Sequence, residues 1–330
     1  MIEGAAVEVE NLTVHFRQRD RTIHAVNGLN FRLARGEVLG ILGESGSGKS
    51  VTLRALMRLL PETCEIGGRV AIEGEDITAA STNRLEEMRG NRIAMIFQEP
   101  VTALDPVFTI GEQIAETMMR HQGIGWRTAK AHALELLERV QIPSARRRFD
   151  AFPHEMSGGM RQRAMIALAL SCNPAVLLAD EPTTALDVTV QIQILLLLRE
   201  LQRELGMAVI FVTHDVGAAV EVSDRLAVMY AGRFVETGRA ASVLKQRAHP
   251  YTEGLLNANL HGVEPGSRLT TIPGAPPNLS ALPPGCSFAP RCTYSEAACT
   301  TAFPDVVELD ADHRVRCRRA DQVAGLRMPP

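Results

Sequence analysis

The segment Gly43-Glu44-Ser45-Gly46-Ser47-Gly48-Lys49-Ser50 constrains this chain most, because its flanks specify a fold as well as a chemistry. It fits G-x-x-x-x-G-K-[S/T], follows the apolar run Val38 to Leu42, and opens the helix-periodic stretch Ser50 to Leu60. A buried strand that turns through glycines into a helix belongs to an α/β sheet. Glycines let the backbone wrap closely around phosphate oxygens, so that successive N–H groups and the helix N-terminus face the anion. In such a loop Gly43, Glu44, Ser45, Gly46, Ser47, Gly48, Lys49, Ser50 and Val51 surround the phosphates of a nucleotide. Lys49 meets the β- and γ-oxygens, and the Ser50 hydroxyl is a Mg²⁺ ligand.

Other strand ends carry the residues that such a loop needs. Ala175 to Ala179 is an apolar run that ends in Asp180-Glu181, where carboxylates reach a metal held at a neighbouring strand. Asp180 is read as holding Mg²⁺ through water, and Glu181 as the general base that polarises the attacking water. Phe211-Val212-Thr213-His214 repeats the layout, which sets His214 to reach the γ-phosphate. The short strand Arg92 to Phe97 ends at Gln98, a further candidate for Mg²⁺ or the water. Ser157-Gly158-Gly159-Met160 precedes the helix-like stretch Met160 to Ala169, so its hydroxyl and amides sit at a helix N-terminus that favours an anion.

Between these motifs the pattern changes twice. Val7 to Phe16 alternates as an edge strand should, and Gly67 to Asp76 reads as strand and hairpin, which together imply an antiparallel β subdomain. Ile110 to Val140 is amphipathic helix rich in Ala, Leu, Met and Glu, which marks an inserted helical subdomain at about residues 101–165. After about residue 262 Pro and Gly become dense and four of the six cysteines appear, so residues 262–330 are expected to form a separate module beyond a core of residues 1–261. A net charge of −3 gives no support to a nucleic-acid partner bound through phosphates. No run approaches the roughly 20 apolar residues of a membrane span, and acids stand where a signal peptide needs bases. A cytoplasmic chain that docks on a membrane through other subunits is the expectation.

Taken in order, the loop, Gln98, Ser157-Gly158-Gly159, Asp180-Glu181 and His214 resemble the nucleotide-binding subunits of ABC transporters over roughly residues 7–250. Ala185-Leu186-Asp187 is similar to the family's D-loop. The resemblance implies a P-loop NTPase (RecA-like) core, binding of ATP and Mg²⁺, and a dimer that sandwiches two ATP molecules. In that dimer Ser157, Gly158, Gly159, Met160 and Asp187 of one subunit face the P-loop of the other. Phe16 lies where the family puts an aromatic residue that stacks on adenine. Met160 departs from the family pattern, which has Gln there, but the backbone donors are kept.

The words Gly43-Glu44-Ser45-Gly46-Ser47, Phe97-Gln98-Glu99-Pro100, Ser157 through Arg163 and His249-Pro250-Tyr251-Thr252 are similar to the ATP-binding subunits of dipeptide and oligopeptide importers. Related members serve nickel, glutathione and D-alanyl-D-alanine uptake. The resemblance implies two permease subunits, an extracytoplasmic solute-binding protein, a homologous ATPase partner in a heterodimer, and a peripheral place on the cytoplasmic face of the inner membrane. Soluble ABC proteins of DNA repair or translation are a second class, but no long coiled-coil insertion or second cassette is present. A small-molecule P-loop kinase would leave Ser157-Gly158-Gly159 unexplained.

Cys286, Cys292, Cys299 and Cys317 cluster in the last fifth of the chain. Disulfides are disfavoured in a reducing cytoplasm, zinc lacks its tight Cys-x-x-Cys pairs here, and thiolate ligation of an iron–sulfur cluster is the third option. The importer resemblance favours a [4Fe-4S] cluster at these four residues, ahead of vacant thiols and of zinc. Cys64 and Cys172 read as ordinary small apolar residues.

Overall fold

The computed structural model describes residues 4–184, 186–258 and 271–324; Ala185 of the D-loop word and the expected boundary at residues 261 and 262 lie outside them. The strands in chain order are β1 (Val7–Arg17), β2 (Thr22–Leu33), β3 (Val38–Leu42), β4 (Cys64–Ile72), β5 (Glu75–Asp76), β6 (Ile93–Ile96), β7 (Val176–Asp180), β8 (Ala208–Thr213), β9 (Arg225–Tyr230), β10 (Arg233–Arg239), β11 (Val307–Asp310) and β12 (His313–Val315). The chain forms two compact units from discontinuous segments. Of the described residues, one comprises 4–7, 32–37, 71–184 and 186–211, the other 8–31, 38–70, 212–258 and 271–324.

In the first unit β6 and β7 pair in parallel, Ile93 beside Val176 and Ile96 beside Ala179. Both strands are buried along their whole length, which explains their unbroken apolar sequences. The helical part does not run continuously from Ile110 to Val140 as the sequence pattern suggests. It breaks into Ile110–Gln122 and Trp126–Arg139, because Gly123 adopts the left-handed conformation (φ 66°) that ends the first helix. Thr109 starts that helix with a capping box: its hydroxyl accepts the Glu112 amide, and the Glu112 carboxylate accepts the Thr109 amide at 2.9 Å. Ile114, Met118, Ala129, Ala133, Leu137 and Phe149 form the buried faces of this helical region.

In the second unit β3 pairs in parallel with β9, from Leu39 beside Arg225 to Leu42 beside Val228. Strand β10 then pairs antiparallel with β9, and β12 with β10. Strand β1 is not an edge strand, because it lies between β2 and β4. Its alternation comes from one buried and one wetter face, which a central antiparallel strand has as readily as an edge. The final segment does not stand apart from this unit: Phe288, Cys286 and Cys292 pack on a core with Leu42, Tyr230 and Tyr251.

A buried carboxylate joins β10 to that segment. Glu236 accepts the amides of Ala248 at 2.8 Å and His249 at 3.0 Å, and its Oε1 lies 2.8 Å from His313 Nε2 on β12. Both side chains are fully buried. Replacing Glu236 by Ala should lower the unfolding free energy by about 3 kcal/mol in urea melts, since two amides and a ring nitrogen lose their partner together. An unchanged midpoint would remove this residue from the account of stability.

Candidate functional site

The phosphate loop grows directly out of β3, whose five residues are all buried. Two glycines determine its course. A Cβ on Gly43 would lie 2.4 Å from the Met229 carbonyl oxygen, and one on Gly48, which has φ +108°, would lie 2.4 Å from the Ala25 carbonyl oxygen. The loop is tied to the β9–β10 turn by the Gly232 amide, which donates to the Ser47 carbonyl at 2.9 Å. Lys49 is buried, and its Nζ donates to the carbonyls of Gly43 at 2.7 Å and Glu44 at 2.9 Å. Gly48 opens the helix Lys49–Leu56 without a side-chain cap, so the N-terminal amides are not screened by their own cap residue. Among the described residues the buried Ser47 Oγ has no hydrogen-bond partner. These are the properties of a loop built to receive an anion.

Glu44 is held from elsewhere in the same unit. Its amide donates to Tyr251 Oη at 2.8 Å, and its carboxylate takes both Nη atoms of Arg291, at 2.7 and 3.0 Å. Pairing with Glu44 raises the Arg291 pKa further, so the guanidinium stays charged although its side chain is only 4% exposed. Phe16, near the end of β1, is half-buried and outside the core, and His214 is exposed just beyond β8. Asp215 caps the helix Val216–Val222 through the Ala218 amide at 3.2 Å.

The first unit holds the acidic group. Asp180 ends β7 and is 1% exposed. Glu181 follows with φ +46°, a left-handed backbone that costs a non-glycine residue about 1–3 kcal/mol and is concentrated at functional sites. Gln98 Nε2 lies 3.4 Å from Glu181 Oε2, and the Thr184 hydroxyl donates to the same oxygen at 3.0 Å. Gln98 and Glu181 therefore meet, as their two strand ends suggest. Thr184 was not read from the sequence.

Ser157 is the N-cap of the helix Gly158–Leu170, its Oγ accepting the Met160 amide at 3.3 Å. Met160 thus contributes a backbone group to the cap. A Cβ on Gly159 would fall 2.9 Å from Val190, next to the helix start that Asp187 caps through the Val190 amide at 3.0 Å. Arg163 is buried and donates to the Val140 carbonyl at 2.9 Å, with Gln141 and Gln193 at 3.2 and 3.3 Å. The end of the Ser157-to-Arg163 word therefore serves packing.

Residues 26–184 match the family model described as ABC transporter, and residues 235–299 match the one described as oligopeptide/dipeptide transporter, C-terminal region. A Brucella abortus (strain 2308) protein provisionally named peptide import ATP-binding protein BAB2_1052 is 51% identical over 312 residues, 94% of each chain. A second from that strain, provisionally named peptide import ATP-binding protein BAB2_0817, is 47% identical over 96% of this chain and 98% of its own. The chain belongs to the ABC transporter family. Among solved structures, the ATP-binding cassette MJ0796 in a dimeric post-hydrolysis state with ADP and Pi has 30% identity and a TM-score of 0.64, covering 71% of this chain and 98% of its own. The cbiO1 protein of Clostridium perfringens, part of the ABC transporter complex cbiONQ, has 29% identity and a TM-score of 0.62 over 73% and 91%.

Four of the six cysteines lie in the C-terminal segment. Cys286, Cys292, Cys299 and Cys317 all line one recess. Burial raises the thiol pKa of Cys286 and Cys292 and pushes Cys317 up to about 12, with the neighbouring thiols adding to the effect. Among the described residues no three of His, Cys, Asp and Glu sit at the spacing of a single-ion site. Cys172 is buried, whereas Cys64 is only partly buried near the start of β4.

The word His249-Pro250-Tyr251-Thr252 acquires a physical basis here. His249 Nδ1 accepts the Tyr251 amide at 3.0 Å at the start of the helix Pro250–Asn257, and that helix brings Tyr251 to the phosphate loop. Burial lowers the His249 pKa from 6.5 to about 3. Because the unfolded state binds the proton first, stability conferred by neutral His249 is full above about pH 6.5 and is lost as pH falls toward 3. His249→Asn, whose amide oxygen can still accept the Tyr251 N–H, should flatten the acid limb of a stability-versus-pH curve by up to about one proton. An identical slope in the variant would contradict that assignment.

Proposed function

We propose that this chain is the ATP-hydrolysing subunit that energises import of di- and oligopeptides. The observation that carries this reading is the 51% identity to a peptide import ATP-binding protein along 94% of both chains, a span that takes in the C-terminal region as well as the cassette. Nickel, glutathione or another small solute is the alternative within the same group, and uptake assays on a deletion strain separate them.

In this reading residues 43–51 hold the phosphates, with Lys49 on the β- and γ-oxygens and Phe16 against the adenine. Ser50, Gln98 and Asp180 would hold Mg²⁺, which would supply positive charge to offset the charge that develops on the phosphates. Glu181 takes a proton from the attacking water, and Gln98, 3.4 Å from that carboxylate, orients it. Its left-handed backbone supports the assignment, because strain of this kind persists where function demands a direction. His214 faces the γ-phosphate. Ser157, Gly158, Gly159, Met160 and Asp187 act on ATP held by a homologous ATPase subunit, in a heterodimer.

Two permease subunits receive the stroke, and an extracytoplasmic solute-binding protein delivers the peptide. Among the described residues no helix is long and apolar enough to cross a membrane. Val107, Phe108 and Trp126 in the helical region are 71%, 48% and 45% exposed, and such side chains support docking onto an apolar partner at the cytoplasmic face of the inner membrane. In the C-terminal segment Cys286, Cys292, Cys299 and Cys317 would ligate a [4Fe-4S] cluster, which would cross-link the segment and make it sensitive to electron supply.

Glu181→Gln should slow ATP hydrolysis at least about a hundredfold and trap an ATP-bound dimer visible by light scattering. Hydrolysis at the parental rate would sink the assignment of the base. Protein purified without oxygen should be brown and contain iron, whereas colourless protein with stoichiometric zinc would rule the cluster out.

A further inference from the structure

We propose that Arg291 is a positioning residue of the nucleotide site, acting through Glu44 to hold the phosphate loop in the course that receives a triphosphate. The proposal rests on residues 43–51 binding ATP and goes beyond it by giving the C-terminal segment a part in that binding.

Glu44 is the second residue of the loop, and each of its polar groups is engaged. Its amide donates to Tyr251 Oη, its carbonyl accepts Lys49 Nζ, and its carboxylate accepts the two Nη atoms of Arg291. Backbone and side chain are thus both anchored by residues more than 200 positions away in sequence. Arg291 is itself immobilised. Its Nε donates to the Pro273 carbonyl at 2.8 Å, Nη1 reaches Tyr230 Oη at 3.3 Å, and the guanidinium lies 5.9 and 5.8 Å from the ring centres of Tyr230 and Phe288.

Two physical effects follow from this arrangement. A planar guanidinium that grips both carboxylate oxygens fixes orientation as well as distance, which a point charge such as Lys does not. It also neutralises an acidic side chain on a loop that must accept a polyanion, where an unpaired carboxylate would repel the ligand. Stability alone is a poor explanation, since a buried ion pair contributes little net free energy relative to apolar replacements. Arg291 ends the turn Ala289–Arg291 and is followed by Cys292, so the clamp joins the phosphate loop to the cysteine recess through adjacent residues.

The test is ATP binding and turnover by the purified full-length chain, with thermal melting measured alongside. Arg291→Gln should raise Kd and KM for ATP about tenfold while kcat at saturating ATP falls less than about twofold. Arg291→Lys should give an intermediate rise in KM. The double variant Glu44→Gln with Arg291→Gln leaves no buried charge unpaired, and it guards against a single variant that fails to fold. Its ATP affinity should lie between those of Arg291→Gln and the parent, because the second substitution removes the unpaired carboxylate but does not restore the grip on the loop. Parental ATP affinity in the folded variants would overturn the proposal, as would losses at Glu44 and Arg291 that multiply independently. A parental chain that fails to bind ATP would overturn both this proposal and the nucleotide reading beneath it.

Discussion

The absence of a side chain at Gly43 and Gly48 is the constraint on which the second unit depends. With carbonyl oxygens 2.4 Å from where each Cβ would stand, the loop can lie against Met229 of β9 and Ala25 of β2 only as bare backbone. That approach follows from the parallel register of β3 and β9, which brings Leu42 beside Val228 and so Gly43 beside Met229. The same closeness lets the Gly232 amide bond the Ser47 carbonyl and leaves the helix N-terminus uncapped by its own side chains. Sheet pairing, loop path and anion-receptive geometry are therefore one arrangement.

The first unit uses a different device. Its carboxylate group relies on a strained backbone at Glu181 and on two neighbours, Gln98 and Thr184, that reach the same oxygen. The start of the helix Gly158–Leu170 is organised by a backbone hydrogen bond that the Ser157 hydroxyl accepts, with Asp187 performing the same task at the next helix. In each case the polar residue sits where regular structure ends and unsatisfied backbone groups are concentrated.

Much of this was legible because the decisive residues lie at the ends of unbroken apolar runs. Val38 to Leu42, Ala175 to Ala179 and Phe211 to Thr213 announce buried strands, and the residue that follows each, Gly43, Asp180 or His214, is set where the apolar run ends. The break at Gly123 was hidden because apolar periodicity continues on both sides of it. The inner position of β1 was hidden because alternation reports a half-wet face and says nothing of neighbours along the sheet. Long-range polar pairs such as Glu44 with Arg291 and Glu236 with His313 leave no periodic trace, since each depends on two residues brought together only by the complete fold.

The bond between Glu44 and Arg291 also has a consequence in time. The two residues are separated by 247 positions, which at about 5–20 residues per second of synthesis is on the order of tens of seconds on the ribosome. Through that interval the phosphate loop exists without the guanidinium that anchors it, and β9, its partner along β3, emerges only after residue 225. The site that is read first along the chain is therefore among the last to be completed.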